Sequence, residues 1–130
     1  PRSSKGFRME SSFQAMSSES MFLCIYCDAL GLAALVETHN AGEIESAVAA
    51  GAALIGVNNR NLKDFSIDLQ TTERLSRMVP QEKLLVAESG IVSDEDVEFL
   101  KACGVNAFLI GRAFMEAEHP GEVAARWKQR

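Results

Sequence analysis

The sequence predicts an α/β protein made of four successive βα units, which amount to half of a barrel of alternating strands and helices. Three observations carry this. Four short apolar runs stop abruptly at polar or glycine residues: Val36-Glu37-Thr38, Val57-Asn58-Asn59-Arg60, Glu88-Ser89-Gly90 and Ile110-Gly111-Arg112. A stretch of helical pattern follows each run. The runs begin near residues 32, 53, 84 and 107, and these spacings suit right-handed crossovers between parallel strands. In such folds the side chains that do chemistry sit at the carboxyl ends of the strands. Function is therefore expected on one rim, facing one small molecule.

The elements follow in order. Residues 1–20 are serine-rich (Ser3-Ser4, Ser11-Ser12, Ser17-Ser18) and show no clear apolar period. They read as a disordered or irregular leader, set apart from a half-barrel domain over 21–130. Ser20 suits the N-cap of a short helix to about Leu30, with Gly31 as its stop. Residues 32–37 are almost continuously apolar, as in a strand covered on both faces. Asn40 is placed to cap a helix over 41–50 that closes at Gly51. A strand over 53–58 leads into a longer loop, 59–67. Asp68 then starts a helix to about Met78, which Pro80 cannot extend. Residues 84–88 form the third strand. Ser93 with Asp96 approaches a capping box for a helix ended by Gly104. Residues 107–110 form the fourth strand. A short helical turn over 113–117 is broken by His119-Pro120-Gly121, and a last helix begins at Glu122.

Composition narrows the function. In 130 residues, 47% are hydrophobic and 24% charged, enough for one domain with a real core. The net charge of −5 argues against nucleic acid, which needs a basic stripe. No apolar run approaches the ~20 residues that span a bilayer. Arg2, Lys5 and Arg8 are not followed by an apolar segment, so neither a membrane anchor nor a signal peptide is expected. Cys24 and Cys27 form a lone CxxC, with neither His39 nor His119 at zinc spacing. These cysteines and Cys103 read as packing in a reducing cytoplasm, with no metal.

At the rim, Glu37 can serve as a general acid or base if burial raises its pKa, or it can merely cap the next loop. Asn58 can orient a hydroxyl and Arg60 can hold a carboxylate with paired hydrogen bonds, against the alternative of a loop-stabilising asparagine pair and a solvated arginine. Glu88-Ser89-Gly90 and Gly111-Arg112 close the third and fourth runs. Gly90 and Gly111 leave backbone N–H groups open to an anion, a short helix beginning near Arg112 would aim its positive end there, and Arg112 could add charge. His39 reads as a hydrogen-bonding or exposed histidine, Glu43 and Glu45 as part of a solvated helix face, and Met115 as packing. Phe7, Phe13 and Phe22 lack the basic neighbours of a nucleic-acid platform.

Four segments together resemble the indole-3-glycerol phosphate synthase family of (β/α)8 TIM barrels: Leu35-Val36-Glu37-Thr38-His39-Asn40, Ile55-Gly56-Val57-Asn58-Asn59-Arg60-Asn61-Leu62, Val86-Ala87-Glu88-Ser89-Gly90-Ile91 and Phe108-Leu109-Ile110-Gly111. Their order and spacing resemble strands five to eight of that family, from about Asp28 to Arg130. The resemblance implies ring closure of 1-(2-carboxyphenylamino)-1-deoxyribulose 5-phosphate, with loss of carbon dioxide and water, and no cofactor. It implies Glu37 as a catalytic acid/base at the dehydration step and Asn58 as a catalytic anchor for substrate or intermediate. Arg60, Glu88 and Ser89 would line the substrate pocket, and Gly90, Gly111 and the amide of Arg112 would bind phosphate.

The family's catalytic lysine on the third strand, and its further lysine, glutamate and substrate loop near the first, have no counterpart; Lys63 and Lys83 match neither position. Arg112 stands where the family often has a small or acidic residue. The expectation is a truncated enzyme, inactive alone. The alternatives are a non-catalytic phosphate-binding or assembly half barrel, or another phosphate-binding barrel such as phosphoribosylanthranilate isomerase. A half barrel leaves open edges and an apolar inner face, with Leu35, Ile55, Val57, Val86 and Leu109, or their alternates, lacking an opposite wall. Self-association is expected, or pairing with a complementing amino-terminal half.

Overall fold

The computed structural model describes residues 9–14 and 27–129. Its strands are β1 (Met9–Gln14), β2 (Ala33–Thr38), β3 (Leu54–Asn58), β4 (Leu84–Glu88) and β5 (Ala107–Leu109). Its helices are α1 (Ala41–Ala49), α2 (Gln70–Ser76), α3 (Asp94–Ala102), α4 (Arg112–Glu116) and α5 (Pro120–Gln129). The strands form one sheet in chain order, β1-β2-β3-β4-β5, and every neighbouring pair is parallel.

The local chemistry that marked the elements acts as expected. The Asn40 side chain accepts from the Glu43 N–H at the start of α1. Ser93 and Asp96 form a reciprocal capping box on α3. Gly51 and Gly104 follow their helices with φ of 78° and 91°, a left-handed stop that favours glycine. Asp68 sits one residue further out than a cap: Leu69 is the N-cap of α2, and the Asp68 carboxylate accepts from the Gln70 N–H.

The leader differs from expectation. Residues 9–14, inside the stretch read as irregular, form β1 and pair in parallel with β2 from Met9↔Ala33 to Gln14↔Glu37, with a register shift between Met9 and Ser11. Serine-rich sequence carries little strand propensity. What recruits it is the unpaired backbone edge of β2, a long-range demand that no local pattern announces. The helix expected over 20–30 and Cys24 lie outside the described residues, apart from a helical stretch at 27–29 that includes the buried Cys27.

The period-two alternation of the strands divides the core. On the helix-covered face, Val36, Ile55, Ala47 and Ala52 form one buried cluster. Val57, Leu85, Ala87, Ile44, Val97, Leu100 and Trp127 belong to another. Trp127 locks α5 down, its indole N–H donating to Asp94 Oδ1 at 2.6 Å. The opposite face carries a third cluster, Leu35, Leu54 and Val86.

Ile55 and Val57 therefore face the helices, and Leu54 takes the inward place; a shift of one residue along a strand reverses its face. The inner face is also less open than expected. Leu35, Leu54 and Val86 are buried, while Leu84 and Leu109, towards the β5 side, are 40% and 47% exposed.

Candidate active site

The carboxyl ends of β2, β3, β4 and β5 converge on one cavity of about 590 Å³. Glu37, Asn58, Arg60, Glu88, Ser89, Gly90, Gly111 and Arg112 all line it, with Ile67, Val92, Leu109 and Glu116 among its other walls. Every rim residue singled out in the sequence is thus brought to one place. The strand register explains this. Glu37 pairs with Gly56 on β3, and Asn58 pairs with Glu88 on β4, so all four lie on the inner face within one pleat of each other.

Gly56 makes the arrangement possible. A Cβ at this position would collide with Glu88 Oε2 and press on Leu35 Cδ1 at 3.1 Å. The Glu88 carboxyl lies over the bare glycine backbone and is only 4% exposed. Burial is the main reason its pKa is pushed up to about 8; the negative charge of Glu37 and a side-chain hydrogen bond with Glu37 act in the same direction. Glu88 Oε2 itself is buried with no hydrogen-bond partner among the described residues. A carboxyl that keeps its proton to about pH 8 at the wall of a cavity is suited to general acid–base work.

The backbone after Glu88 is held in an unusual shape. Ser89 and Gly90 both have positive φ, 69° and 81°. For serine this is a costly conformation, and here it is braced by its neighbours. Asn59 supplies the brace. It is 2% exposed, its N–H donates to Glu88 O at 2.9 Å and its side-chain amide to Ser89 O at 3.2 Å. Its Oδ1 accepts from Thr72 N and Thr72 Oγ1, at 3.2 and 2.6 Å. Sequence reading grouped Asn58 and Asn59 together, yet their roles separate. Asn58 points to the cavity and accepts from the Arg60 N–H at 3.0 Å, while Asn59 turns into the protein and ties β3 to β4 and α2. The loop after β3 folds back through a bridge between Arg60 and Ile67, and Ile67 occupies the space where a Gly90 side chain would lie.

Arg112 and Glu43 depart from the sequence reading. The Arg112 guanidinium pairs with Glu116 at 2.8 Å and is 76% exposed, so its charge is directed along α4 to a carboxylate. His39, read as a hydrogen-bonding or exposed histidine, is a hydrogen-bonding one: its Nε2 lies 3.2 Å from Glu37 Oε2 and its Nδ1 lies 3.3 Å from Glu43 Oε2. Glu43, read as solvated, is 13% exposed at its side chain. The histidine was findable, since residues two apart on a strand end share a face, but its second partner came only with the fold of α1. Among the described residues, no group of three or more His, Cys, Asp or Glu is placed to hold a metal ion.

The model of one family, indole-3-glycerol phosphate synthase, matches residues 14–126, most of the chain and all four rim segments. The chain belongs to the indole-3-glycerol phosphate synthase family. Indole-3-glycerol phosphate synthases of Burkholderia ambifaria and Burkholderia cenocepacia are 50% and 48% identical to it over 101 residues. In both cases the match covers 78% of this chain and 39% of the relative, so the chain spans about two fifths of the length of the curated relatives it matches.

Solved structures of other proteins share the fold. The Amycolatopsis orientalis BexX/CysO complex aligns with a TM-score of 0.63 at 20% identity, over 86% of this chain and 46% of that one. A native KDPGal structure aligns at 0.63 and 15% identity, over 92% and 59%. The N-acetylmannosamine-6-phosphate 2-epimerase of Clostridium perfringens aligns at 0.59 and 18%, over 84% and 48%. These likenesses concern the parallel α/β architecture alone. No helix among the described residues is long and apolar enough to cross a membrane.

Proposed function

We propose that the chain is the carboxyl-terminal half of an indole-3-glycerol phosphate synthase, with β2 to β5 as strands five to eight of the (β/α)8 barrel. Its substrate is 1-(2-carboxyphenylamino)-1-deoxyribulose 5-phosphate, and the reaction closes the indole ring with loss of carbon dioxide and water in the cytoplasm, without a cofactor. The observation that carries this reading is the paired Glu37 and Glu88 carboxyls at the centre of a cavity lined by all four rim segments.

Glu37 is the acid/base at dehydration, and Asn58 anchors the intermediate by hydrogen bonds. Arg60, Glu88 and Ser89 line the substrate pocket. The phosphate lies against Gly90, Gly111 and the N–H of Arg112, where the first turn of α4 has N–H groups without intrahelical partners. The Arg112 side chain contributes less than its charge suggests, because Glu116 engages it.

The chemistry also requires a lysine acid and the opposite wall of the pocket, which a complementing amino-terminal half supplies. A positioned acid contributes roughly 10²–10⁴-fold in rate. The test is a continuous assay of indole-3-glycerol phosphate formation by the purified chain, alone and mixed with a separately expressed amino-terminal half. No appreciable turnover is expected alone, and activity is expected in the mixture. Appreciable turnover by the chain alone would overturn the need for a partner, and an inactive mixture that forms a stable complex would overturn the enzymatic reading. In the absence of the other half, self-association through the open β5 side is expected, and sedimentation as a strict monomer at micromolar concentration would count against it.

A further inference from the structure

We infer that β1 is a stand-in strand: it holds the edge of β2 where the preceding strand of a complete barrel would pair, so the complementing piece that fits this chain directly has three strands, not four. The inference rests on reading β2–β5 as strands five to eight of a (β/α)8 barrel.

The pairing has the place and the direction of a barrel strand. β1 runs parallel to β2, and the sheet order β1-β2-β3-β4-β5 puts it on the side of β2 away from β3. Its register is continuous from Ser11↔Ala34 to Gln14↔Glu37, so the last residue of β1 comes level with Glu37 at the rim. Residues 15–32 join the two strands, and a parallel pair needs a connection of about a dozen residues or more. The sequence of β1 has another origin than its place suggests. The match to the family begins at residue 14, so Met9 to Phe13 lie outside the matched segment.

A barrel closes only when every strand has two neighbours. Here β2, β3 and β4 each have two, while β1 and β5 are the edges. Three further parallel strands complete eight between β5 and β1. A four-stranded piece finds the β2 edge already taken and must displace β1. The curated relatives carry chain enough for the missing units, since the match covers 39% of their length. On the other edge Leu109 of β5 is 47% exposed and offers an incoming strand an apolar neighbour. As a competitor β1 is weak in composition, with two serines and a glutamate where strands favour β-branched and aromatic residues. Its strength is the tether: a short connection gives an effective concentration on the order of millimolar. The apparent affinity of a four-stranded piece is therefore reduced to the fraction of chains in which β2 is free.

The test reads amide exchange of β1 in the full, unsubstituted chain as it binds two amino-terminal fragments of the Burkholderia ambifaria relative, one ending after its third strand and one after its fourth. The three-stranded fragment should pair with β1 and slow its exchange. The four-stranded fragment should release β1 to unprotected rates. A second arm uses the full chain with Ser11→Pro and Ser12→Pro together. Successive strand residues direct their N–H groups to opposite sides, so one of the two prolines removes a donor to β2 whichever way β1 is turned. By fluorescence anisotropy this variant should bind the four-stranded fragment at least about tenfold more tightly than the parent does, and the three-stranded fragment at least about tenfold more weakly. A four-stranded fragment that binds while β1 keeps its protection, or that binds parent and variant equally, would overturn the inference and leave the barrel reading standing. If neither fragment binds either chain, the barrel reading fails and the inference with it. Should the proline variant not fold, exchange in the parent decides alone.

Discussion

Glu88→Gln is the most direct perturbation of this site. The carboxyl rises from an ordinary 4.5 to about 8 on folding. Below about pH 4.5 both folded and unfolded chains hold the proton. Between about 4.5 and 8 only the folded chain holds it, so unfolding releases a proton and the folded state loses stability as pH rises. Above about 8 the full penalty of a buried charge is present. At about 1.4 kcal/mol per unit, the shift sets a ceiling of about 5 kcal/mol. Water in the open cavity screens the charge, and roughly 2 kcal/mol is a sounder expectation.

Glutamine keeps the shape and removes the titration. Urea unfolding from pH 5 to pH 9 should show the parent chain losing roughly 2 kcal/mol across that span. The variant should run nearly flat and be the more stable of the two at pH 9. A parent profile without slope, or the same slope in Glu88→Gln, would refute the assignment of the buried proton to this carboxyl.

Two other substitutions probe the scaffold. Gly56→Ala places a methyl group against Glu88 Oε2 and Leu35, and should cost about 1–3 kcal/mol in urea unfolding while altering the pH profile of Glu88; an unaltered profile would mean that Gly56 does not set the carboxyl's place. Asn59→Ala leaves Thr72 and the Ser89 carbonyl without their partner and should cost roughly 1–3 kcal/mol, with faster amide exchange at Ser89 and Gly90 as the local signature.

Much of the architecture was legible because it rests on local chemistry. Asn40, Ser93 with Asp96, Gly51 and Gly104 begin and end helices through contacts within a few residues, and apolar runs of the right length between them make parallel strands. The rim residues were legible for the same reason: a strand that ends in Glu, Asn or Ser-Gly must present those groups at the carboxyl edge of the sheet. Residues 9–14 were not legible, since their pairing answers an open edge of β2 some twenty residues away. Two of the five residues expected inward, Ile55 and Val57, face the helices, because a run such as Leu54-Ile55-Gly56-Val57 is apolar on both faces and only the register against β2 and β4 decides which side chain meets the helices.

The division at the site is similar. Which residues arrive at the rim follows from the amino-acid order alone, because it depends on where each strand stops. Tertiary structure decided what they do to one another. Glu88 becomes a high-pKa acid because Gly56 leaves room for its burial and Glu37 stands beside it. Asn59 parts from Asn58 because Ser89 and Thr72 lie within reach. His39 joins the acid pair because Glu43 holds its ring from the far side. Each of these is set by distances of about 3 Å between groups from different elements, and electrostatic and hydrogen-bond energies at that range depend on the fold that fixes the distance.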